Sequence, residues 1–445
     1  MPKEDCKYWD KCYQKNESHL QKYTHPKKPS SGDESQKEEA GAAKKRALSE
    51  SPDADDQIER SNNQATSVAS SSDKTVDEKT SSSTLRQEID TNELREEALR
   101  SMAGKNYLEV QQKRIRLSAQ MEYDALLQSN EFIRHKFLVE MPDEFYAFWK
   151  FLGELRPNDT GGKILDYFEK QYQLQLVGPF EFLAERFHKA TIREPGDYLR
   201  HWRFYYDPPE FQTVFVKKGS GVHYGYWRDE PSEKGKLLLA RNDASKNCEF
   251  EFIASNAFDA LRYYLEHDFA STPFLAASVA NIKKATSKFL NTHEELKALE
   301  PLDSIRKLRN ARVVSKTFHR AGIVVPFVAK SQLGYRPLIV SDAELKKIIK
   351  LFEIAGGKDA GSKLLPIATA ASIALDECDF GTSLELGIDL FCSGRPELHD
   401  LAQSLLVPAY TLLERPQFIA IAKAHMEKRR KALNLSIFEL DKSEK

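Results

Sequence analysis

Apolar side chains fall into two regimes along the chain: sparse up to about Asn130, dense and periodic after it. Phe145, Phe148, Trp149 and Phe151 recur at helical spacing behind Pro142-Asp143, a pair suited to a first helical turn. Four β-branched and aromatic runs then predict strands: Thr213–Val216, Val222–Trp227, Leu237–Ala240 and Glu249–Ile253. Turn residues separate them, namely Lys218-Gly219-Ser220-Gly221, Asp229-Glu230-Pro231 and Asn242-Asp243. This is the pattern of an antiparallel meander, with a helix from about Asn256 to Asp268 behind it. After about Ser287 the period becomes mostly helical. A short strand-like run, Ile323–Val328, comes before a helix opened by Ser341-Asp342-Ala343-Glu344 in capping-box spacing and closed by Gly356-Gly357. Further helices are predicted at about 362–377, 383–392, 398–413 and 416–433.

The predicted fold class is therefore α+β, with a sheet-bearing lobe at 130–285 packed on a helical lobe at 286–434 and a tail at 435–445. No internal repeat is present. From Pro26 to Asn106 there is no aromatic residue, and Ser, Glu, Lys and Asp dominate. Too little apolar surface is available there to offset chain entropy, which predicts a disordered Ser/charged linker at 29–84. Residues 85–128 stay polar, yet Leu85, Ile89, Leu94, Leu99 and Met102 have a helical habit.

Composition narrows the function classes. The 445 residues carry 66 Lys+Arg against 67 Asp+Glu, which excludes a uniformly basic nucleic-acid coat. No stretch approaches the ~18 apolar residues of a membrane span. The start, Met1-Pro2-Lys3-Glu4-Asp5, has no apolar segment of a signal peptide. Five cysteines are too few for a disulfide scaffold, so a reducing compartment is expected.

Two of those cysteines lie in residues 1–28. Cys6, Cys12, His19 and His25 are spaced C-x5-C-x6-H-x5-H, a closed N2S2 set suited to tetrahedral Zn2+. A segment this short holds no core by itself, so metal ligation would drive its folding. The same residues hold seven Lys against four acids, with tyrosines interleaved. Positive charge beside stacking faces suits a polyphosphate bearing purine rings; a solvated basic tail is the plainer alternative.

In the main body the informative signal is charge. Between Lys363 and Arg395 there is no Lys or Arg, while Asp376, Glu377, Asp379, Glu385 and Asp389 sit among apolar residues. Helical carboxylates are usually offset by a base three or four positions away. Here either a distant base reaches them, or they are protonated, or a partner supplies the charge. Of five Asp-Glu dipeptides only Asp376-Glu377 lies in such a setting, at a helix end before Phe380-Gly381, where a carboxylate could serve as general base or simply as part of a cap region. Glycine-rich phosphate loops, G-x-S-x-G elbows and H-E-x-x-H pairs are absent. Cys248, Cys378 and Cys392 read as isolated structural thiols, His201 and His319 as satisfied core histidines. The run Arg306–Arg312 reads as a solvated basic helix face before it reads as a nucleic-acid contact.

Two resemblances give these features a context. Cys6-Lys7-Tyr8-Trp9-Asp10-Lys11-Cys12-Tyr13-Gln14-Lys15-Asn16, followed by His19, Tyr23, His25 and Pro26, resembles the poly(ADP-ribose)-binding zinc finger. The resemblance implies that Tyr8, Tyr13, Gln14 and Lys15 contact adenine rings and phosphates. A glycine usual in that family is Trp9 here, and a usual arginine is Gln14, which removes a planar, permanently charged partner. Residues from about 131 to 434 resemble the histone PARylation factor family. The segments that carry this are Gln175–Pro179, His201–Thr213, Lys316–His319, Gly334-Tyr335-Arg336, Asp376–Gly381, Leu384–Gly387 and Asp389–Cys392.

The resemblance implies an accessory factor that docks on the catalytic domain of a DNA-damage-activated poly(ADP-ribose) polymerase and completes its active site. The polymerase binds NAD+; this chain brings Glu377 as base, with Asp376 setting the local field. Tyr335 and Arg336 match a partner contact, and Asp379 and Asp389 are expected on an acidic surface near the joint. Histones and poly(ADP-ribose) are the further partners implied, in the nucleus on damaged chromatin, with no membrane association and no direct DNA binding expected. Lys44-Lys45-Arg46 is a weak import-type signal of its own. A non-catalytic poly(ADP-ribose)-reading adaptor is the alternative. A self-contained hydrolase using Asp376 and Glu377 is a third, which the missing phosphate loop weakens.

Overall fold

The structure, a computed structural model, describes residues 4–5, 23–24, 107–129, 131–354 and 358–439. The expected linker at 29–84 lies outside them. At the N-terminus, strands β1 (Glu4–Asp5) and β2 (Tyr23–Thr24) pair in parallel, Glu4 with Tyr23 and Asp5 with Thr24.

The sheet lobe opens with helix α1 (Tyr107–Leu127), which lies in the expected polar segment 85–128, whose residues 85–106 are outside the described ones. Its last turns buries Tyr123, whose hydroxyl donates to the Phe187 carbonyl at 3.0 Å. Helices α2 (Glu131–Lys136), α3 (Asp143–Leu155) and α4 (Gly161–Tyr172) follow, and α3 buries Phe145, Phe148, Phe151 and Leu152 along one face. Strand β3 (Leu174–Leu176) then leads into the short helices α5 (Pro179–Leu183) and α6 (Pro195–Arg200). The meander is β4 (Phe211–Lys217), β5 (Val222–Trp227), β6 (Leu238–Asp243) and β7 (Glu251–Ala254). With β3 added at one edge, it forms one antiparallel sheet in the order β3-β4-β5-β6-β7.

Both faces of the central strands are buried, so alternation along β4 sorts side chains between two cores rather than between core and water. Phe215 stacks on Phe180 and meets Phe148, whereas Val216 packs with Trp202 and Phe204 on the other face. Helix α7 (Ala257–Tyr263) closes the first face; its Asn256 N-cap side chain accepts from the Asp259 amide. A π-helical turn, Tyr264–Asp268, extends it and delivers Asp268 to Arg241, which donates two bonds of 2.7 Å. Each buried aromatic is worth ~1.5–3 kcal/mol of transfer free energy, and the lobe's core is built mainly from them.

Helix α8 (Pro273–Thr292) runs straight through the expected lobe division at 285/286, and its Phe289 packs into the aromatic core on Phe151 and Phe258. The helical lobe proper starts with α9 (Leu302–Asn310) and the hairpin β8 (Val313–Ser315) and β9 (Ile323–Val324). It continues with α10 (Asp342–Ile354), α11 (Lys358–Asp376), α12 (Phe380–Cys392), α13 (His399–Leu412) and α14 (Pro416–Glu427). Ser341 caps α10 by accepting from the Glu344 amide at 3.3 Å, as its spacing predicts; Gly356-Gly357 lie outside the described residues. Helix α14 ends at Glu427, not near 433, and the described part of the expected tail, 435–439, packs back on the body. Leu435 and Ile437 are buried, and the Trp202 amide donates to the Leu435 carbonyl at 3.2 Å. No helix among the described residues is long and apolar enough to cross a membrane.

Several buried polar groups are paired within the fold. His201 Nε2 lies 2.6 Å from Glu181, and its Nδ1 accepts from the Ile437 amide. Burial, then Arg309, lower the His319 pKa to about 3, and its Nδ1 accepts from the Ala321 amide. Cys248 and Cys392, far apart in sequence, are neighbours through their thiols. Glu144 is buried, accepts from the Ala257 amide and the Tyr226 hydroxyl, and is pushed up to about 7 by burial. Its folded value lies above its unfolded value of 4.5, so its contribution to stability is fully present below pH 4.5 and is lost as pH rises through about 7. Glu144→Gln keeps an acceptor for the Ala257 amide, turns the Tyr226 contact into one that the amide nitrogen donates, and removes the titration. Urea unfolding of the variant should lose a pH slope on the order of 3 kcal/mol between those limits. An unchanged slope would refute the assignment.

Candidate active site at the end of helix α11

The Asp376-Glu377 pair sits where α11 turns into α12. The Cys378 amide donates to the Leu375 carbonyl at 3.0 Å and the Asp379 amide to the Ala374 carbonyl at 2.8 Å. These are the two bonds of a Schellman ending, with Glu377 as C-cap and Cys378 as the left-handed residue (φ 72°). Glycine is the usual occupant of that position, so a cysteine there carries a backbone cost on the order of 1–2 kcal/mol. Its burial in the helical core offsets the strain. The turn throws Glu377 outward: its side chain is 58% exposed.

A carboxylate at a helix C-terminus faces the negative end of the macrodipole. The compensating charge comes from Arg336. Its Nη2 lies 2.5 Å from Glu377 Oε2, and its Nε lies 3.5 Å from Asp379 Oδ2. Of the alternatives open for the base-free window, a distant base is the one realised for Glu377 and Asp379. Glu377 Oε1 accepts no hydrogen bond among the described residues.

The loop that presents Arg336 is clamped onto the first turn of α12. Gly334 donates to Asp379 Oδ1 at 2.9 Å and accepts from the Gly381 amide at 2.9 Å. The Arg336 amide donates to Thr382 Oγ1, which donates back to the Arg336 carbonyl at 2.7 Å. Gly334 has φ 109°, and a Cβ there would lie 2.0 Å from the Pro326 carbonyl oxygen, so only glycine fits. Tyr335 is half-buried, its hydroxyl facing Glu385. Burial, then that carboxylate, raise its pKa. Beside Arg336 a groove of about 300 Å³ is lined by Ile339, Ile367, Ile373 and Thr382. Ile339 and Ile373, in its lining, are more than half exposed.

Two expectations need correction. Asp389 is fully buried and accepts from the Phe318 amide at 2.7 Å, so it does not lie on an acidic surface. Asp379 is also largely buried, turned inward to hold Gly334. The reason is the place of α12: all thirteen of its residues are buried, because it is the central helix of its lobe. Acids on a central helix serve the interior, whatever their number. Residues 306–312 are not a uniform basic face either, since Arg309 is buried in a bidentate pair with Asp229.

Sequence reading singled out Glu385 among the base-free acids without giving it a role, and it missed Ser315; the two meet at 2.6 Å behind Tyr335. The lack of a base near Glu385 was the available signal. At the N-terminus, Cys6, Cys12, His19, His25, Tyr8, Tyr13, Gln14 and Lys15 lie outside the described residues. Two thiolates and two imidazoles remain a donor set that fits Zn2+.

Comparison with known proteins agrees with both halves of this description. A family profile described as histone PARylation factor 1 matches residues 128–429, and one described as PBZ domain matches residues 3–28. Mouse histone PARylation factor 1 is 37% identical over 304 residues, covering 67% of this chain and 86% of the mouse protein. The bovine protein of the same name is 36% identical over 304 residues, and the zebrafish protein 36% over 307, with 86% and 85% of their lengths covered. The chain belongs to the histone PARylation factor 1 family and carries a PBZ-type zinc-finger domain ahead of the family's body.

Proposed function

We propose that this chain is an accessory factor of a DNA-damage-activated poly(ADP-ribose) polymerase. It completes a joint active site and directs ADP-ribosylation to serine, including serines of histones. The observation that carries the reading is the geometry of Glu377: an outward carboxylate on a rigid helix ending, one oxygen held by Arg336 and the other without a partner in the described chain.

The chemistry explains why a carboxylate would be imported. A serine hydroxyl is a weak nucleophile at neutral pH because its proton must leave as it attacks. The electrophile is C1′ of the nicotinamide ribose in NAD+ held by the polymerase. The serine oxygen–C1′ bond forms, the C1′–nicotinamide bond breaks, and the serine proton passes to Glu377 Oε1. A positioned base of this kind contributes ~10²–10⁴-fold. Acidic acceptor side chains are already ionised and need no such help, so an added base shifts acceptor choice toward serine.

Docking would use Tyr335 and Arg336 together with the exposed apolar residues Ile339 and Ile373 beside them. Arg336 then has two roles. In the free chain it offsets Glu377; in the complex it can turn to an acid of the polymerase. Asp379 acts through the loop it holds, and Asp376 contributes to the local field. The finger, folded on Zn2+ by Cys6, Cys12, His19 and His25, would present Tyr8, Tyr13, Gln14 and Lys15 to poly(ADP-ribose). We place the protein in the nucleus, at damaged chromatin.

The direct test is reconstitution with polymerase, NAD+ and a histone peptide, the modified side chain read by mass spectrometry. Serine should dominate only when this chain is present. A distribution that does not respond to it would leave the adaptor reading. Cys12→Ala should release one zinc per chain, by metal analysis, and leave serine modification within about twofold; joint loss would refute the independence of finger and body.

A further inference from the structure

Behind the Tyr335–Arg336 loop, three acids converge from two helices. Asp342 opens α10; Glu385 and Asp389 lie one turn apart on α12. One carboxylate oxygen from each lies within 4.8 Å of the other two. That spacing alone would mean little, because acidic clusters are common on protein surfaces. These acids are not on a surface. Glu385 is 4% exposed and Asp389 0%.

Their bonding is half complete. Glu385 Oε1 accepts from Ser315 Oγ at 2.6 Å, and Asp389 Oδ1 accepts from the Phe318 amide at 2.7 Å. The second oxygens, Glu385 Oε2 and Asp389 Oδ2, are buried without any hydrogen-bond partner. Among the described residues none of the three acids is in a salt bridge. Lys346, one turn along α10 from Asp342, rests over the Phe318 ring, 4.6 Å from its centroid. Buried acceptors left unsatisfied are rare, because desolvating them without compensation is costly.

We propose that Asp342, Glu385 and Asp389 form a binding site for a hard divalent cation. Oxygen-only donors are the set that Mg2+, Ca2+ and Mn2+ take. Opposite oxygens of a Ca2+ shell, at 2.3–2.6 Å from the ion, stand ~4.6–5.2 Å apart, so the observed span accommodates such a shell. Asp342, exposed at the helix start, gives the ion a route from solvent. Ser315 on β8 and the Phe318 amide hold the other two carboxylates in orientation from behind. The ion would join α10 to α12 beside Tyr335, whose hydroxyl faces Glu385 and whose neighbour Arg336 faces Glu377. The site therefore braces the loop on which the proposed docking depends, but ion binding is a property of the free chain and is tested without a polymerase.

The experiment uses the full zinc-loaded chain, stripped of other divalent ions on a chelating resin. Mg2+, Ca2+ and Mn2+ are titrated singly, with thermal unfolding as one readout and tyrosine-sensitised Tb3+ luminescence as a second. One saturable equivalent and a rise in Tm of several degrees are expected. Losing a mere supporting partner weakens metal sites ~10–100-fold, so Asp389→Asn and Glu385→Gln should weaken binding at least that far. Asp342→Asn, at an exposed position, folds in any case and should weaken it likewise. The proposal is overturned if no ion gives a saturable response up to ~10 mM, beyond the ~1 mM of weak Ca2+ modules. It is equally overturned if Asp342→Asn responds as the parent does, since the ion then binds elsewhere.

Discussion

Glu377→Gln should lower serine ADP-ribosylation in the reconstituted reaction by ~10²–10⁴-fold while leaving polymerase binding close to that of the parent. The substitution keeps the side chain's length and an acceptor for Arg336 Nη2, so the loop at 334–336 stays clamped by its four hydrogen bonds to α12 and Asp379. What it removes is the capacity to take a proton. Modification of Asp and Glu acceptors by the polymerase should persist, because those nucleophiles arrive ionised. Arg336→Ala is the informative contrast. It leaves the base but removes a docking cation, so its loss should be recoverable at high concentrations of the chain, whereas that of Glu377→Gln should not. Full serine activity in the Gln variant would remove Glu377 from the chemistry and favour the adaptor.

How far the sequence alone reaches can be judged element by element. Strands β4 to β7 were legible because their residues are β-branched or aromatic and their turns carry Gly, Pro, Asn or Asp. Strand β3, three residues long, has no period to detect, and only its pairing with β4 defines it. Helix α8 was missed since Ala, Ser and Lys dilute its apolar stripe over twenty residues. The Asp376-Glu377 pair stood out by charge and setting. Its partner did not, since Arg336 is 41 residues away and is delivered by a loop whose course depends on Gly334 meeting the Pro326 carbonyl. Burial of Asp389 was likewise beyond a one-dimensional reading. Periodicity finds the buried face of a helix, but α12 is buried on every face, and then its acids look the same as exposed ones.

Arg309→Leu should be the most damaging substitution outside the proposed active site, costing ~3–5 kcal/mol of unfolding free energy. Arg309 is 7% exposed and donates from Nε and Nη2 to the two oxygens of Asp229, at 3.0 and 2.8 Å. It also reaches the Ala321 and Gly322 carbonyls, at 2.5 and 2.9 Å, with its guanidinium 5.0 Å from the Phe252 ring centroid. One side chain thus ties the sheet lobe, through Asp229, to the hairpin of the helical lobe. Leucine fills part of the volume but strands Asp229 as a buried, unpaired carboxylate. The Asp229 charge, more than the lost contacts, sets the size of the effect. Adding Asp229→Leu should therefore restore much of the loss, because an apolar pair of similar volume is close to neutral against a buried ion pair. The hairpin leads directly into Pro326, whose carbonyl touches Gly334, so the single variant should also weaken docking beyond what its unfolded fraction explains. Urea unfolding of the two variants, with polymerase binding measured well below the transition, separates these effects. A single variant within ~1 kcal/mol of the parent would show that Asp229 finds another partner and that the lobes are joined elsewhere.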